Sequence, residues 1–466
     1  MTPSLTEPLS ISDLRAAIEG EVLAPDDADY DAARATLYGG DLRPVAIVRA
    51  AGADDVAHVV RLAAAIGLEL AIRSGGHSGA AHGTTDGGIQ LDLKAMKGID
   101  IDVAGRTVWA ETGLTASELT TAVGEHGLVI GFGDTGTVGI GGITTGGGVG
   151  YLVRKYGLTI DNVIAADVVT ADGELVRTDA DHHPDLFWAI RGGGGNFGVV
   201  TRFQYRLQTL PSVIGGILIL PATADTVADA VAAAEAAPEE VSAILNVMPC
   251  PPMPFVAKEH HGKLVVFAML AFAGGEEAGE RALAPFRALA TPLADLVRPM
   301  SYAELFPPED EGHPAMFAAN RTMFMDRVDR EVAERIVTEL EEHGRTPGTL
   351  MSVSQLRVLG GAMARVPVEA TAFAHRSSRI MVNLAALVAT TAELPAHEAW
   401  VLSFAAALQQ GDTGAYVNFV SDEGPERVHA AYPGGTWDRL VEVKNRYDPT
   451  NLFRRNHNIP PTAAPA

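Results

Sequence analysis

Arg73-Ser74-Gly75-Gly76-His77-Ser78 follows the apolar residues Leu68, Leu70 and Ile72, which read as a strand. Two glycines at a strand end let backbone approach a ligand closely, and successive N–H groups there converge on an anion such as a diphosphate. His77 stands at the lip of that turn, where an imidazole nucleophile would meet whatever the diphosphate carries. A lone histidine is more often a turn or core residue, and it is the Gly-Gly before His77 that favours a reactive role. A second pair with chemical potential is Tyr416 and Asn418, on one face of a strand expected over 415–420. The bland reading of Tyr416 is an ordinary strand tyrosine. A buried phenol acts as a base when nearby donors stabilise its phenolate, because its free pKa of about 10 is otherwise too high.

The chain has 49 glycines, so glycine motifs need context. Gly193 to Gly198 and Gly131 to Gly136 both fit G-x-G-x-x-G. A dinucleotide fingerprint requires strand, glycines, then helix. The first match follows a helix and precedes a strand; the second runs into more glycine with no helix expected. Gly139 to Gly150 is different in kind, because Val138, Ile140, Ile143 and Val149 are buried-type residues and no serine-rich composition accompanies them. That mixture predicts a packed loop around a flat ligand, not a linker or a helix. The histidine pairs His182-His183 and His260-His261 lack the i, i+4 spacing of a metal site and read as surface. No G-x-S-x-G elbow and no Walker loop occurs, which removes support for acyl and phosphoryl transfer.

These residues must be positioned by a β-α-β unit: strand 45–48, helix 54–65, strand 69–73. Further strands are expected at 88–93, 99–103, 107–110, 163–171, 175–178 and 197–207. Helices are expected at 114–126, with Thr115 and Glu118 as a capping box, and at 184–190. Beyond Pro211 the texture changes to alanine-rich helices (225–236, 276–290, 329–343) alternating with apolar strands (243–247, 264–272, 351–353, 379–387). This predicts a second domain, a sheet covered by helices. The closing segment from Pro460 reads as a loose end.

With 466 residues the chain is comfortable for two domains. Its 35 basic against 58 acidic residues, net −23, repel nucleic acid and anionic lipid. The single thiol, Cys250, allows no internal disulfide and fits a reducing compartment. Met1 to Glu7 shows no signal peptide, and the longest apolar runs are too short to span a bilayer. A cytoplasmic protein, monomer or homodimer, is the expectation.

Together the motifs resemble the flavin oxidoreductases related to berberine bridge enzyme and 6-hydroxy-D-nicotine oxidase. The resemblance rests on 73–78, 138–150, Arg154 to Leu158 with Asp161-Asn162, Asp185 to Gly198, Tyr416 to Phe419, and Tyr447 to Ile459. It covers nearly the whole chain. It implies an α+β fold: a PCMH-type FAD-binding domain of two α/β subdomains, plus a substrate domain with a mainly antiparallel sheet covered by helices. The boundaries would be 1–210 (core about 42–210) for FAD, 211–412 for substrate, and a berberine-bridge-type segment 413–466 returning to the FAD domain.

The resemblance also implies roles. FAD is held by Arg73, Ser74, Gly75, Gly76, His77, Ser78, Thr135, Val138, Gly139, Gly141, Gly142, Thr144, Gly148, Gly150, Asn196, Gly198, Val199, Tyr416 and Asn418. His77 bonds the 8α carbon of the flavin. Thr135 stands where many relatives carry a second, cysteinyl bond, so a single link is expected. Val138 matches the position beside the oxygen-reacting carbon, where a small residue accompanies oxidase behaviour. Tyr416 is the base, or base helper, and Asn418 orients it or binds the flavin ring; hydride passes from a C–H next to O–H or N–H to flavin, and O2 reoxidises it to give H2O2. The substrate would be a small secondary metabolite, sugar or cyclic amine. A dehydrogenase with another acceptor and a non-catalytic flavin or ligand carrier are the alternatives. No metal is expected. His375 and Arg376 are candidates to line the substrate pocket.

Overall fold

A computed structural model describes residues 9–38, 41–306 and 317–462; the first residues, where no leader was expected, and the last of the loose tail lie outside the described residues. Ala46–Arg49, Ala53–Ile66 and Leu70–Arg73 form strand, helix and strand as expected. Val56, Val59, Val60 and Ala63 bury the inner helix face, and Gly67, at φ +69°, ends the helix in the left-handed region. The two strands do not pair. Ile89–Asp92 lies between them, parallel to both, and Glu21–Leu23 adds an antiparallel edge. The 74–78 turn therefore leaves the carboxyl end of a parallel strand, where open α/β sheets bind ligands.

A second sheet has five antiparallel strands in the order Ile99–Asp102, Thr107–Glu111, Val199–Arg206, Val163–Val169, Leu175–Asp179. Helix Ala116–Gly124 packs beside it and starts with the expected box: Thr115 accepts from the Glu118 N–H while Glu118 accepts from the Thr115 N–H.

The glycine run departs from expectation. Ile140–Gly146 is a short helix, not a loop. Propensity alone would not form it; tertiary packing does. Ile140 is fully buried, and a Cβ at Gly146 would lie 2.0 Å from Asn418 Oδ1. The helix stops at Gly147 and Gly148, whose φ values are +135° and +81°.

The third large sheet has eight strands. Six antiparallel neighbours run Val213–Pro221, Leu264–Phe272, Val241–Pro249, Thr349–Val358, Ile380–Val388, Phe317–Met325, and Ala294–Asp295 and Arg298–Met300 pair at the Val213–Pro221 edge. Helices Ala224–Ala236, Glu276–Arg287, Arg330–His343 and Leu394–Leu408 bury an apolar core against one face. Strands Val213–Pro221 and Phe317–Met325 and helix Leu394–Leu408 had no sequence expectation. The helix is apolar over most of its circumference, so it shows no clean stripe.

The segment after residue 415 packs back onto the core beneath the five-stranded sheet through Ala415, Val417, Val420, Tyr432, Leu440 and Ile459. Its anchor is a fully buried ion pair. Lys444 Nζ donates to Asp448 Oδ2 at 2.7 Å and to the carbonyls of Asn196 and Phe453, each at 2.9 Å. Asp448 in turn accepts the N–H groups of Leu452 and Phe453, both at 2.8 Å. Every strong group is satisfied, so removing one partner leaves an uncompensated charge. Lys444→Met is expected to lower unfolding free energy by about 3–5 kcal/mol, measured by denaturant titration. Adding Asp448→Asn should recover part of that loss, since coupled neighbours are non-additive.

Candidate active site

Two glycine turns meet backbone to backbone. A Cβ on Gly75 would lie 2.2 Å from the Gly139 nitrogen, and one on Gly139 would lie 2.2 Å from the Gly75 nitrogen and from Ser74 Oγ. Ser74 Oγ ties the turns together: it donates to the Thr112 carbonyl at 2.6 Å and accepts the Gly141 N–H at 3.2 Å. Only glycine fits either position. Gly139→Ala forces the turns apart at an overpacking cost of about 1–3 kcal/mol. The expected result is a severalfold or greater loss of bound flavin per protein, read from absorbance, with Gly124→Ala unaffected because its Cβ meets nothing within 4 Å.

The turns border a cavity of about 520 Å³, within the range of cofactor and ligand sites. One part of its wall carries Arg73, His77, His82, Arg455 and His457. The two guanidinium groups stand out in a chain of net charge −23 and suit a diphosphate, while burial holds the three imidazoles below their ordinary range. Buried Asn456 Oδ1, also on the wall, has no partner among the described residues, as a site built for a polar ligand requires. The residues present thus fit a flavin dinucleotide.

His77 is held below the ordinary imidazole range. Burial is the main cause, the Arg73 charge adds to it, and a hydrogen bond to the Thr137 backbone opposes it. The ring is accordingly neutral at physiological pH, the form in which imidazole is a nucleophile.

Tyr416 and Asn418 do not occupy a strand. Val417–Phe419 is one turn of 3-10 helix, and it folds Asn418 back onto Tyr416. The separation of two residues suggested a shared strand face; the tight turn brings the side chains into direct contact instead. Asn418 Nδ2 donates to the Tyr416 hydroxyl at 3.0 Å and to the Ile143 carbonyl at 3.1 Å. The Gly148 N–H donates to the same phenol oxygen at 2.9 Å. Burial raises the phenol above its ordinary value; Asn418, the Gly148 and Val149 backbone and the Arg357 charge pull the other way. The left-handed conformation of Gly148 is what aims its N–H at the oxygen.

Of the residues expected around the cofactor, 73–78, Thr135, Val138, Gly139, Gly141, Gly142, Asn196, Gly198, Val199, Tyr416 and Asn418 line the cavity. Thr144, Gly148 and Gly150 stand behind its wall. Thr144 is buried with its hydroxyl 2.8 Å from that of Tyr205, and a Cβ at Gly150 would collide with the Phe132 carbonyl. The Asn196 side chain is spent on the tail: it donates to the Gly193 and His457 carbonyls and accepts the Ile459 N–H. His375 and Arg376 are absent from the wall. His375 stacks on Phe324 and bonds the Ala431 carbonyl, and Arg376 makes a two-pronged pair with Asp161 at 2.7 and 2.8 Å. Their backbone position before a strand gave no sign that both side chains turn into the packed interior. Tyr38, His82, Asn320, Arg357, Asn383 and Arg455 line the cavity without having been singled out. The signal for Asn383 was available: it is a polar residue interrupting an apolar strand.

His182 is exposed and pairs with Asp179, while His261 bonds the Val256 carbonyl. Among the described residues no cluster of His, Cys, Asp and Glu could hold a metal, and no helix is long and apolar enough to cross a membrane.

Comparison with known proteins agrees with this geometry. Residues 44–179 match a family described as FAD binding domain, and 415–460 match one described as Berberine and berberine like. The chain is 33% identical to (R)-6-hydroxynicotine oxidase of Paenarthrobacter nicotinovorans over 99% of both chains. It is 28% identical to an FAD-linked oxidoreductase of Dictyostelium discoideum, over 96% of this chain and 95% of the other. Among solved structures, 6-hydroxy-D-nicotine oxidase from Arthrobacter nicotinovorans superposes with a TM-score of 0.82 at 30% identity, covering 95% of this chain and 98% of that one. Xylooligosaccharide oxidase from Myceliophthora thermophila, in complex with xylobiose, shares the fold at a TM-score of 0.83 and 23% identity, covering 98% of this chain and all of that one. The protein therefore belongs to the berberine bridge enzyme and 6-hydroxynicotine oxidase family, and is an FAD-dependent oxidoreductase with the PCMH-type fold.

Proposed function

We propose that this oxidoreductase is an oxidase. It oxidises a carbon next to an O–H or N–H of a small organic substrate and delivers the electrons to O2, with H2O2 as product. FAD, when bound, supplies the two-electron acceptor. Residues 1–210 and 413–466 hold that cofactor and 211–412 cover the substrate side.

His77 carries the cofactor through a single covalent bond. Its burial-lowered imidazole supports that role. A second, cysteinyl bond has no donor: Thr135 occupies the wall, and Cys250 is buried among Ile219, Val256 and Val265. Tyr416 removes the substrate's O–H or N–H proton, and Asn418 fixes the phenol in place. The single observation that carries this reading is Tyr416, a residue of the cavity wall whose oxygen already accepts two N–H donors. Such preorganised donors favour phenolate without reorganisation during the reaction. Val138, a small side chain on the same wall, leaves room for oxygen.

The test is a turnover experiment in air with a substrate that bleaches the flavin anaerobically. One H2O2 is expected per substrate consumed. A flavin that stays reduced in air, and reoxidises only with an added quinone or dye, would replace the oxidase with a dehydrogenase.

A further inference from the structure

The cavity has one wall made by the sheet face opposite the four long helices. Side chains alternate strictly there. Along Ile380–Val388, Val382, Leu384 and Ala386 enter the core beneath the helices, whereas Asn383, Ala385 and Leu387 line the cavity. From the neighbouring strands come Met351, Val353 and Arg357, and Ala318 and Asn320.

Across this face runs a row of polar residues in direct register: Asn246 opposite Gln355, Gln355 opposite Asn383, and Asn383 opposite Thr322. The row is engaged at one end and open at the other. Asn246 Nδ2 donates to the Phe267 carbonyl at 3.2 Å and its Oδ1 accepts from Gln355 Nε2 at 2.8 Å. Gln355 Oε1 accepts from Arg357 at 2.9 and 2.7 Å. Among the described residues, buried Asn383 Oδ1 and Thr322 Oγ1 have no partner. An unmade hydrogen bond of that kind costs about 1–3 kcal/mol, and Asn383 is the member of the pair that borders the cavity.

Charge on this wall is already neutralised. Arg357 Nη2 donates to Asp134 Oδ2 at 2.6 Å and to Gln355 Oε1 at 2.7 Å, Nη1 to the Val149 carbonyl at 3.0 Å, and Nε to Gln355 Oε1 at 2.9 Å. Among the described residues this sheet wall offers no free carboxylate for an ammonium and no free cation for a carboxylate. A buried ion without a partner is strongly disfavoured. A carboxamide both donates and accepts, which matches a hydroxyl.

We propose that the site takes an uncharged, hydroxylated small molecule, and that Asn383 is the residue that reads it. The inference rests on the flavin-oxidase reading above and narrows its substrate class, setting cationic amines and acids aside.

The test uses oxidised holoenzyme without oxygen and three probes on one ring: cyclohexane-1,2-diol, cyclohexylammonium and cyclohexanecarboxylate. Binding is read from perturbation of the flavin spectrum and from the shift in thermal unfolding. The diol is expected to bind about tenfold or more tightly than either ion, the factor that about 1.4 kcal/mol of hydrogen bonding gives. Asn383→Leu should weaken the diol by a similar factor with flavin content unchanged. Asn383→Asp should turn the preference to the ammonium. Tighter binding of either ion to the wild-type protein would overturn the inference, as would equal diol binding by wild type and Asn383→Leu, or no response to any probe up to its solubility limit. The wild-type ranking decides the matter even if a variant fails to fold. Failure of the underlying reading looks different: the purified protein would hold no flavin to perturb.

Discussion

Tyr416→Phe should lower kcat/KM by about 10²–10⁴, the range for loss of a positioned general base, while leaving the flavin content at the wild-type level. The substitution removes one oxygen and almost nothing else. The ring keeps its edge contacts with Phe373 and Phe419. What disappears is the acceptor for Asn418 Nδ2 and for the Gly148 N–H. Asn418 retains the Ile143 carbonyl as a partner, so the turn should hold. The pH profile supplies a second readout. Burial raises the Tyr416 phenol, so the reactive phenolate becomes more abundant as pH rises, and kcat/KM should climb with pH on the alkaline side. Asn418→Leu removes one of the donors that pull the phenol down, so its climb should move to still higher pH. Stopped-flow reduction of the flavin without oxygen checks both variants. An unchanged reduction rate in Tyr416→Phe would remove Tyr416 from the chemistry.

His77→Ala should abolish acid-stable flavin altogether. The remaining contacts of the dinucleotide site are intact in this variant: the Gly75–Gly139 backbone contact, the Ser74 tie, and Arg73 and Arg455 on the wall. Dissociable FAD is therefore expected to bind, and activity with added FAD should be reduced, not absent. His82 makes a sharp control. It lines the same cavity, packs edge-on against His457 at 4.7 Å, and is held well below the ordinary imidazole range by burial. His82→Ala should keep the covalent flavin. Retention of acid-stable flavin in His77→Ala with its loss in His82→Ala would move the attachment to His82.

Where the sequence was legible, the pattern was local and steric. Apolar alternation before Arg73 and the Gly-Gly after it reported a strand end and a close backbone approach, and both are present. The Thr115 and Glu118 spacing reported a helix start that the structure reproduces. Legibility failed where tertiary packing overrides local preference. A glycine-rich stretch with poor helix propensity becomes the Ile140–Gly146 helix because its small residues are the ones that fit between Ser74 and Asn418. Tyr416 and Asn418 were read as strand neighbours, and the 3-10 turn that joins them has no strong sequence mark. His375 and Arg376 show the converse limit. Both are polar residues beside a strand, and whether they face a cavity or a buried partner depends on residues far away in the chain, such as Asp161 for Arg376. Arg357 belongs to the same class, since its partner Asp134 lies 223 residues away in the chain.

We expect the flavin to be joined to this chain at one imidazole. Trypsin cleaves after Arg73 and Lys94, so His77 and His82 fall in the single peptide Ser74 to Lys94. Wild-type protein, expressed with ample riboflavin, is precipitated in acid, washed and digested, and that peptide is weighed and fragmented. A yellow precipitate is expected, with a Ser74–Lys94 peptide heavier by one FAD less two hydrogens and the addition on His77. A colourless precipitate with the peptide at its unmodified mass would contradict it.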